Sequence, residues 1–230
     1  MVIYSMWWDE PMVRAAIGAV LGFVWGLAAD RIAARWPAHE EGKPPVRDVD
    51  WRTPVVALVG AAAGYLVVAR FDTEPLHLVL MAVVALGLVL LFATDLDQRL
   101  LPDVLTLPLI PLSLVVFALG QSPYLQTTGD LIAAVVAAIV LPLGMYLLSL
   151  PFGAGAIGLG DLKLLAGVGL LGGAFRLVAA LIVGAIAAAI VIVVLMAARR
   201  VTLHSYVPYG PFLILGCLWA LLVLSGSGGV

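Results

Sequence analysis

Two short acidic motifs, Asp95-Leu96-Asp97-Gln98-Arg99-Leu100-Leu101-Pro102-Asp103 and Gly158-Leu159-Gly160-Asp161, stand at the ends of long apolar stretches. Carboxylates at the edge of hydrocarbon are costly to keep charged and are functional candidates by default. Two carboxyl groups about 3 Å apart cannot both ionise easily, so one holds a proton while the other acts as base on a water molecule. That is the chemistry of aspartic proteolysis, and it needs neither a nucleophilic side chain nor a metal. Asp95 and Asp97 lie two residues apart and cannot both face one side of a continuous helix. Asp95 follows Leu91-Phe92-Ala93-Thr94 and is held nearer the hydrocarbon, which makes Asp97 the more solvated of the two. Asp161 comes after two glycines and before Lys163, at a helix start whose free N–H groups and small neighbours leave room for an extended substrate. Asp103, after Pro102, is placed to cap the apolar run Val104 to Leu119, and Asp130 stands in the same relation to the run from Leu131. A purely structural role for Asp95 and Asp161, as interfacial caps, is the reading these residues alone leave open.

Other chemistries find little support. Gly153-Ala154-Gly155-Ala156-Ile157-Gly158 fits G-x-G-x-x-G, but it follows an apolar span and no βαβ unit surrounds it. No H-E-x-x-H, G-x-S-x-G or Walker A pattern occurs, and His39, His77 and His204 are scattered. The one cysteine, Cys217, sits inside an apolar run and reads as a small buried hydrophobe. Neither a metal nor a cofactor is expected.

The elements that carry these motifs are membrane helices. Of 230 residues, 63% are hydrophobic and 11% charged, and the mean hydropathy is +1.15. That leaves too little polar surface to cover a soluble globule. The net charge of −2, with positive residues singly or in pairs, provides no footprint for nucleic acid. A bilayer core takes about 20 apolar residues per helix. Candidate spans are Ala15 to Ala29 with extensions, Val55 to Val68, Leu76 to Thr94, Val104 to Leu119, Leu131 to Leu150, Leu162 to Gly173, Leu177 to Met196 and Pro211 to Ser225. The expectation is an all-α polytopic membrane protein of about eight transmembrane helices, forming a single domain over residues 1–230. Asp9 and Glu10 before the first span, with only Arg14 as a cation, do not resemble a removable signal, so that span is read as retained.

Lysine and arginine set the orientation. With the N-terminus outside and every segment crossing, Arg31, Arg35, Lys43, Arg47, Arg52, Arg99, Lys163, Arg199 and Arg200 are cytoplasmic, whereas Arg14, Arg70 and Arg176 are not. Both acidic motifs then share the cytoplasmic face. The short sixth segment, with Gly167, Gly169, Gly172 and Gly173, suits a helix packed among neighbours. Gly60 and Gly64 form a small-xxx-small pair for helix packing. Asp30 with Arg31 and Arg35 reads as a local ion pair and interfacial anchor, and residues 35–53 as a short cytoplasmic loop.

At these residues the chain resembles the type IV prepilin peptidase family, membrane aspartic proteases of the Gly-x-Gly-Asp type. The family pattern has an Asp followed shortly by Pro-Asp, and later a Gly-x-Gly-Asp followed by a basic residue and an apolar helix. Here these are Asp95 with Pro102-Asp103, and Gly158-Leu159-Gly160-Asp161 with Lys163. Arg52-Thr53-Pro54 before the second span and Pro208-Tyr209-Gly210-Pro211-Phe212 before the last are weaker matches. The resemblance implies that Asp95 and Asp161 are the catalytic pair, with Asp97, Asp103, Gly158, Gly160 and Lys163 in support. It implies a multi-pass protein of the inner membrane, whose substrate is a prepilin or pseudopilin precursor cut after a short basic leader. The lipid bilayer is the other partner.

Departures from the pattern are equally specific. Many members carry two Cys pairs that bind zinc in the first cytoplasmic loop, and they methylate the new N-terminus. The 35–53 loop has no cysteine and hence no zinc module. Ala57 stands where a Glu is usual, and the usual Asn near the end of the first span is replaced, which argues against methyl transfer. A proton-coupled transporter would need a midplane acid and inverted repeats, neither of which is evident. A non-catalytic scaffold for pilus assembly would leave Asp95 and Asp161 replaceable by Asn.

Overall fold

The computed structural model describes residues 10–36, 47–152, 158–200 and 209–224, and among these every regular element is helical. Two compact units divide the chain after Gln98.

The first unit holds α1 (Pro11–Ala33), α2 (Arg52–Phe71) and α3 (Pro75–Gln98). Pro11 opens α1, where a missing N–H costs nothing because the first turn has no partner for it. The expected packing role of Gly60 and Gly64 is met by a glycine stripe on α1. A Cβ at Gly22 would lie 2.1 Å from the Gly60 carbonyl oxygen, one at Gly64 2.2 Å from that of Gly18, and one at Gly26 2.5 Å from that of Val56. The pairing order makes α1 and α2 antiparallel, with backbones in contact. The Trp25 indole N–H donates to the Leu86 carbonyl at 3.0 Å. The Gln98 amide donates to the carbonyls of Ala33 and Trp36 at 3.1 and 3.0 Å. Both bonds run α3 alongside α1 in the same direction. Asp30, Arg52, Thr53 and Asp97 therefore gather at one end, while the Arg14–Asp72 pair at 3.1 Å closes the other.

The second unit contains α4 (Asp103–Thr106), α5 (Leu109–Ala118), α6 (Thr128–Ser149), a 3₁₀ turn at Leu150–Phe152, α7 (Leu159–Ala197) and α8 (Gly210–Leu222). The predicted fourth span is split into α4 and α5 around Leu107-Pro108, because Pro108 has no amide hydrogen to continue the ladder. The sixth and seventh segments fall on α7, whose 39 residues are two helices meeting at Gly173 (φ 81, ψ 172). That conformation is open essentially to glycine alone. The glycines before it are packed, as expected. A Cβ at Gly167 would meet Leu109 at 2.7 Å, and one at Gly169 the Cα of Ala138 at 3.4 Å. After the kink, Gly216 of α8 lies against the Ala180 carbonyl and Gly184 against that of Phe212, an antiparallel pair. Arg176 stacks on the Tyr124 ring at 3.9 Å, and the Tyr124 hydroxyl donates to the Leu221 carbonyl.

By length and composition α1, α2, α3, α6 and α7 are each able to cross a membrane, while Asp103–Ala118 and α8 are shorter apolar stretches. The eight predicted segments thus fall on five long helices, one of them double, and two shorter pieces.

Candidate active site

In the first unit, Asp95 lies in the last turn of α3 and is buried, and Asp97 follows it toward the helix end. Asp97 is less enclosed than Asp95, yet it is not the water-facing carboxylate its position in the sequence suggests. Arg47 Nε lies 2.7 Å and Arg52 Nη1 3.2 Å from its Oδ1. The reason is remote in sequence: Arg47 lies in the segment leading into α2 and Arg52 is the first residue of that helix.

Asp30 forms the expected ion pair with Arg31, but it is buried near the end of α1 and has further partners that its neighbours in sequence do not supply. Arg31 Nε donates to it at 3.0 Å and Thr53 Oγ1 at 2.7 Å, and Arg47 donates to its second oxygen. Arg35 points outward instead. Arg47 also pairs with Asp50, whose carboxylate accepts the Arg52 backbone N–H at 2.9 Å. Burial works against the Arg47 charge, but the hydrogen bond and field of Asp30, with the fields of Asp97 and Asp50, outweigh it and hold the pKa above its usual value. Sequence reasoning used Arg47 only for orientation. The signal available was the excess of arginine and aspartate between residues 47 and 52.

In the second unit, Asp161 is in the first turn of α7 and half-buried, with Gly158 at the N-cap. A Cβ at Gly158 would stand 3.3 Å from Asp161 Oδ2, so the glycine leaves that carboxylate uncovered. Gly160 has a packing reason: a Cβ there would fall 2.7 Å from Leu101 Cβ. Asp103 heads α4 but makes no side-chain cap. Its carboxylate instead takes Lys163 Nζ at 2.6 and 2.8 Å, which joins α4 to α7. Asp130 does serve a cap, as the first-turn (N3) partner of Thr127 in a reciprocal capping box. Tyr209, absent from the sequence-based site, is half-buried before α8. Burial, followed by the fields of Cys217 and Asp161, raises its phenol above the usual range.

Among the described residues no group of three or more His, Cys, Asp or Glu side chains is arranged to hold a metal ion. The single cysteine is buried in α8, so a Cys-ligated zinc module cannot be built from this chain. Asp9, the 37–46 stretch with His39 and Lys43, residues 153–157 of the rejected glycine motif, and 201–208 with His204 and Pro208 lie outside the described residues.

Residues 82–193 match the model of the type IV leader peptidase family, a stretch that contains both acidic motifs. This segment belongs to that family. Over 142 residues, 62% of its length, the chain is 32% identical to a prepilin leader peptidase/N-methyltransferase of Stutzerimonas stutzeri, 48% of which is covered. Over the same length and shares, it is 33% identical to the protein of that name from Pseudomonas aeruginosa. A Burkholderia pseudomallei protein of that name is 32% identical over 165 residues, 72% of the chain and 52% of the relative. The chain spans about half the length of the curated relatives it matches. No solved structure gives a significant match. Family and apolar helices together make this a multi-pass membrane protein.

Proposed function

We propose that the chain is a membrane aspartic endopeptidase that removes the short basic leader from type IV prepilin or pseudopilin precursors at the cytoplasmic face of the inner membrane. The observation that carries this reading is that one family match runs through both acidic motifs. In the proposed topology the N-terminus is outside, eight segments cross, and residues 1–230 act as one peptidase domain. Asp95 and Asp161 are its acid–base pair. One carboxylate takes a proton from water as the water oxygen bonds to the scissile carbonyl carbon. The other donates its proton as the C–N bond breaks and the new amine leaves.

The environments of the two residues support these roles. Asp95 is shielded at a helix end, where a carboxyl group is kept from bulk water. Asp161 is left open by Gly158 and precedes Lys163, which is already engaged by Asp103. The proposal is confined to leader cleavage, since the loop lacks cysteine and Ala57 replaces the usual Glu.

Co-expression of a prepilin with wild-type protein, Asp95→Asn or Asp161→Asn, followed by precursor mass, tests it. Cleavage by wild type and by neither variant, with all three inserted in the membrane, is the expected result. Survival of cleavage in either variant removes the catalytic pair.

A further inference from the structure

The last turn of α3 carries two aspartates and no basic residue. Carboxylates there face the negative end of the helix dipole, and the last four carbonyls of any helix lack intrahelical partners. Taken alone, this turn should fray. Asp95 sits in it, and a catalytic group has to be held within about 0.5 Å of its working position.

The structure supplies the missing positive charge from outside the helix. Arg47 Nε lies 2.7 Å from Asp97 Oδ1, and another nitrogen of the same guanidinium donates to Asp30, which is 1% exposed. One guanidinium therefore ties the end of α3, by an ion pair, to the end of α1, by a hydrogen bond. Asp30 is fixed in turn by Thr53 of α2 and by Arg31. Arg52 also donates to Asp97 Oδ1, at the longer distance of 3.2 Å and from a more exposed side chain, and both arginines pair with Asp50 as well; only Arg47 reaches Asp30 too. The Gln98 bonds to α1 hold the backbone one residue further on.

We propose that Arg47 is a positioning residue for Asp95, acting through Asp97. This rests on Asp95 being one of the catalytic pair. Arg47 touches no reacting atom. Its charge and its two-sided geometry keep the final turn of α3 closed, so that Asp95 stays in register. Lysine retains the charge facing Asp97 but, as a single point charge, does not also reproduce the hydrogen bonds to Asp30 and Asp50.

The test uses the full-length protein in detergent with a prepilin substrate, with rates expressed per mole of folded enzyme. Arg47→Gln is expected to lower kcat roughly tenfold to a hundredfold, the cost of a catalytic group displaced by about 1 Å, with KM within about twofold. Arg47→Lys should recover part of the loss. Arg47→Gln combined with Asp97→Asn should be no slower than the slower single variant, because both remove one link. Hydrogen exchange should rise in Ala93 to Gln98 in Arg47→Gln.

Unchanged kcat per folded enzyme, losses that multiply in the double variant, or unchanged exchange in that turn would each overturn the proposal while leaving the peptidase reading intact. A change in KM alone would make Arg47 a substrate contact and would also overturn it. A wild-type protein that cleaves no prepilin refutes the peptidase reading, and the positioning role goes with it.

Discussion

Replacing Gly26 with alanine tests whether the α1–α2 seam sets the geometry beneath Asp97. The new Cβ would stand 2.5 Å from the Val56 carbonyl oxygen and 2.6 Å from Ala57 Cα. Both are backbone atoms, so no rotamer change relieves the clash, and the helices must part by about 1 Å to restore ordinary contact. Such overpacking costs about 1–3 kcal/mol. Asp30 lies one turn beyond Gly26, and Thr53 one turn before Ala57, joined by a 2.7 Å bond. An added 1 Å takes that bond out of range, and a hydrogen bond to a charged group contributes about 1.5–3 kcal/mol. Alanine's helix propensity offsets about 1 kcal/mol of the total. The net loss is about 1.5–5 kcal/mol, a fall in Tm of roughly 3–20 °C for a chain of this size. Helical circular dichroism during heating of the detergent-solubilised protein measures it. Gly87 is the control, since no atom lies within 4 Å of a Cβ placed there, and Gly87→Ala should hold or raise Tm. A Gly26→Ala protein that melts at or above the wild type would refute the reasoning, because propensity would then outweigh the seam.

Gly173→Ala forces a side chain into a backbone conformation costing about 1–3 kcal/mol and brings its Cβ within 3.1 Å of Leu125. The same melt should show a lower Tm, and an unchanged one would mean that α7 straightens without loss. Asp103→Asn removes an ion pair whose side chains are 57% and 35% exposed. Such a pair is worth about 0–1 kcal/mol, so Tm should move by less than about 4 °C, and a larger fall would show that the pair holds α4 against α7.

The long helices were legible because hydrophobic length is a local property. Every predicted apolar segment is occupied by helix, and both motifs fall at helix ends, Asp95 in the last turn of α3 and Asp161 in the first of α7. What hydropathy hides is the backbone. Pro108 divides the fourth segment without lowering its apolar character, and Gly173 bends a continuous apolar run. Both residues were visible, but their effect is conformational and an average over side chains is blind to it. The same holds for the α1 seam. Gly18, Gly22 and Gly26 recur every four residues, the spacing that puts them on one helix face. Their role needs a partner helix whose register a single sequence does not state.

The carboxylates show the limit most clearly. Burial followed from sequence for Asp95, which comes directly after the apolar run Leu91-Phe92-Ala93 and is buried. For Asp97 and Asp30 the deciding partners are 50 and 17 residues away in Arg47, and local pattern assigned one to solvent and the other to its nearest arginine. A run of aspartates at a helix C-terminus is nonetheless a legible anomaly, because it opposes the helix dipole. Such a turn persists only if cations are brought to it from elsewhere. In this chain the compensating arginines at 47 and 52 are the charge-rich entry to α2, so the unfavourable ending of α3 and the loop before α2 are two halves of one electrostatic device. Substitutions that alter only one half should therefore disturb the end of α3 more than those that remove both.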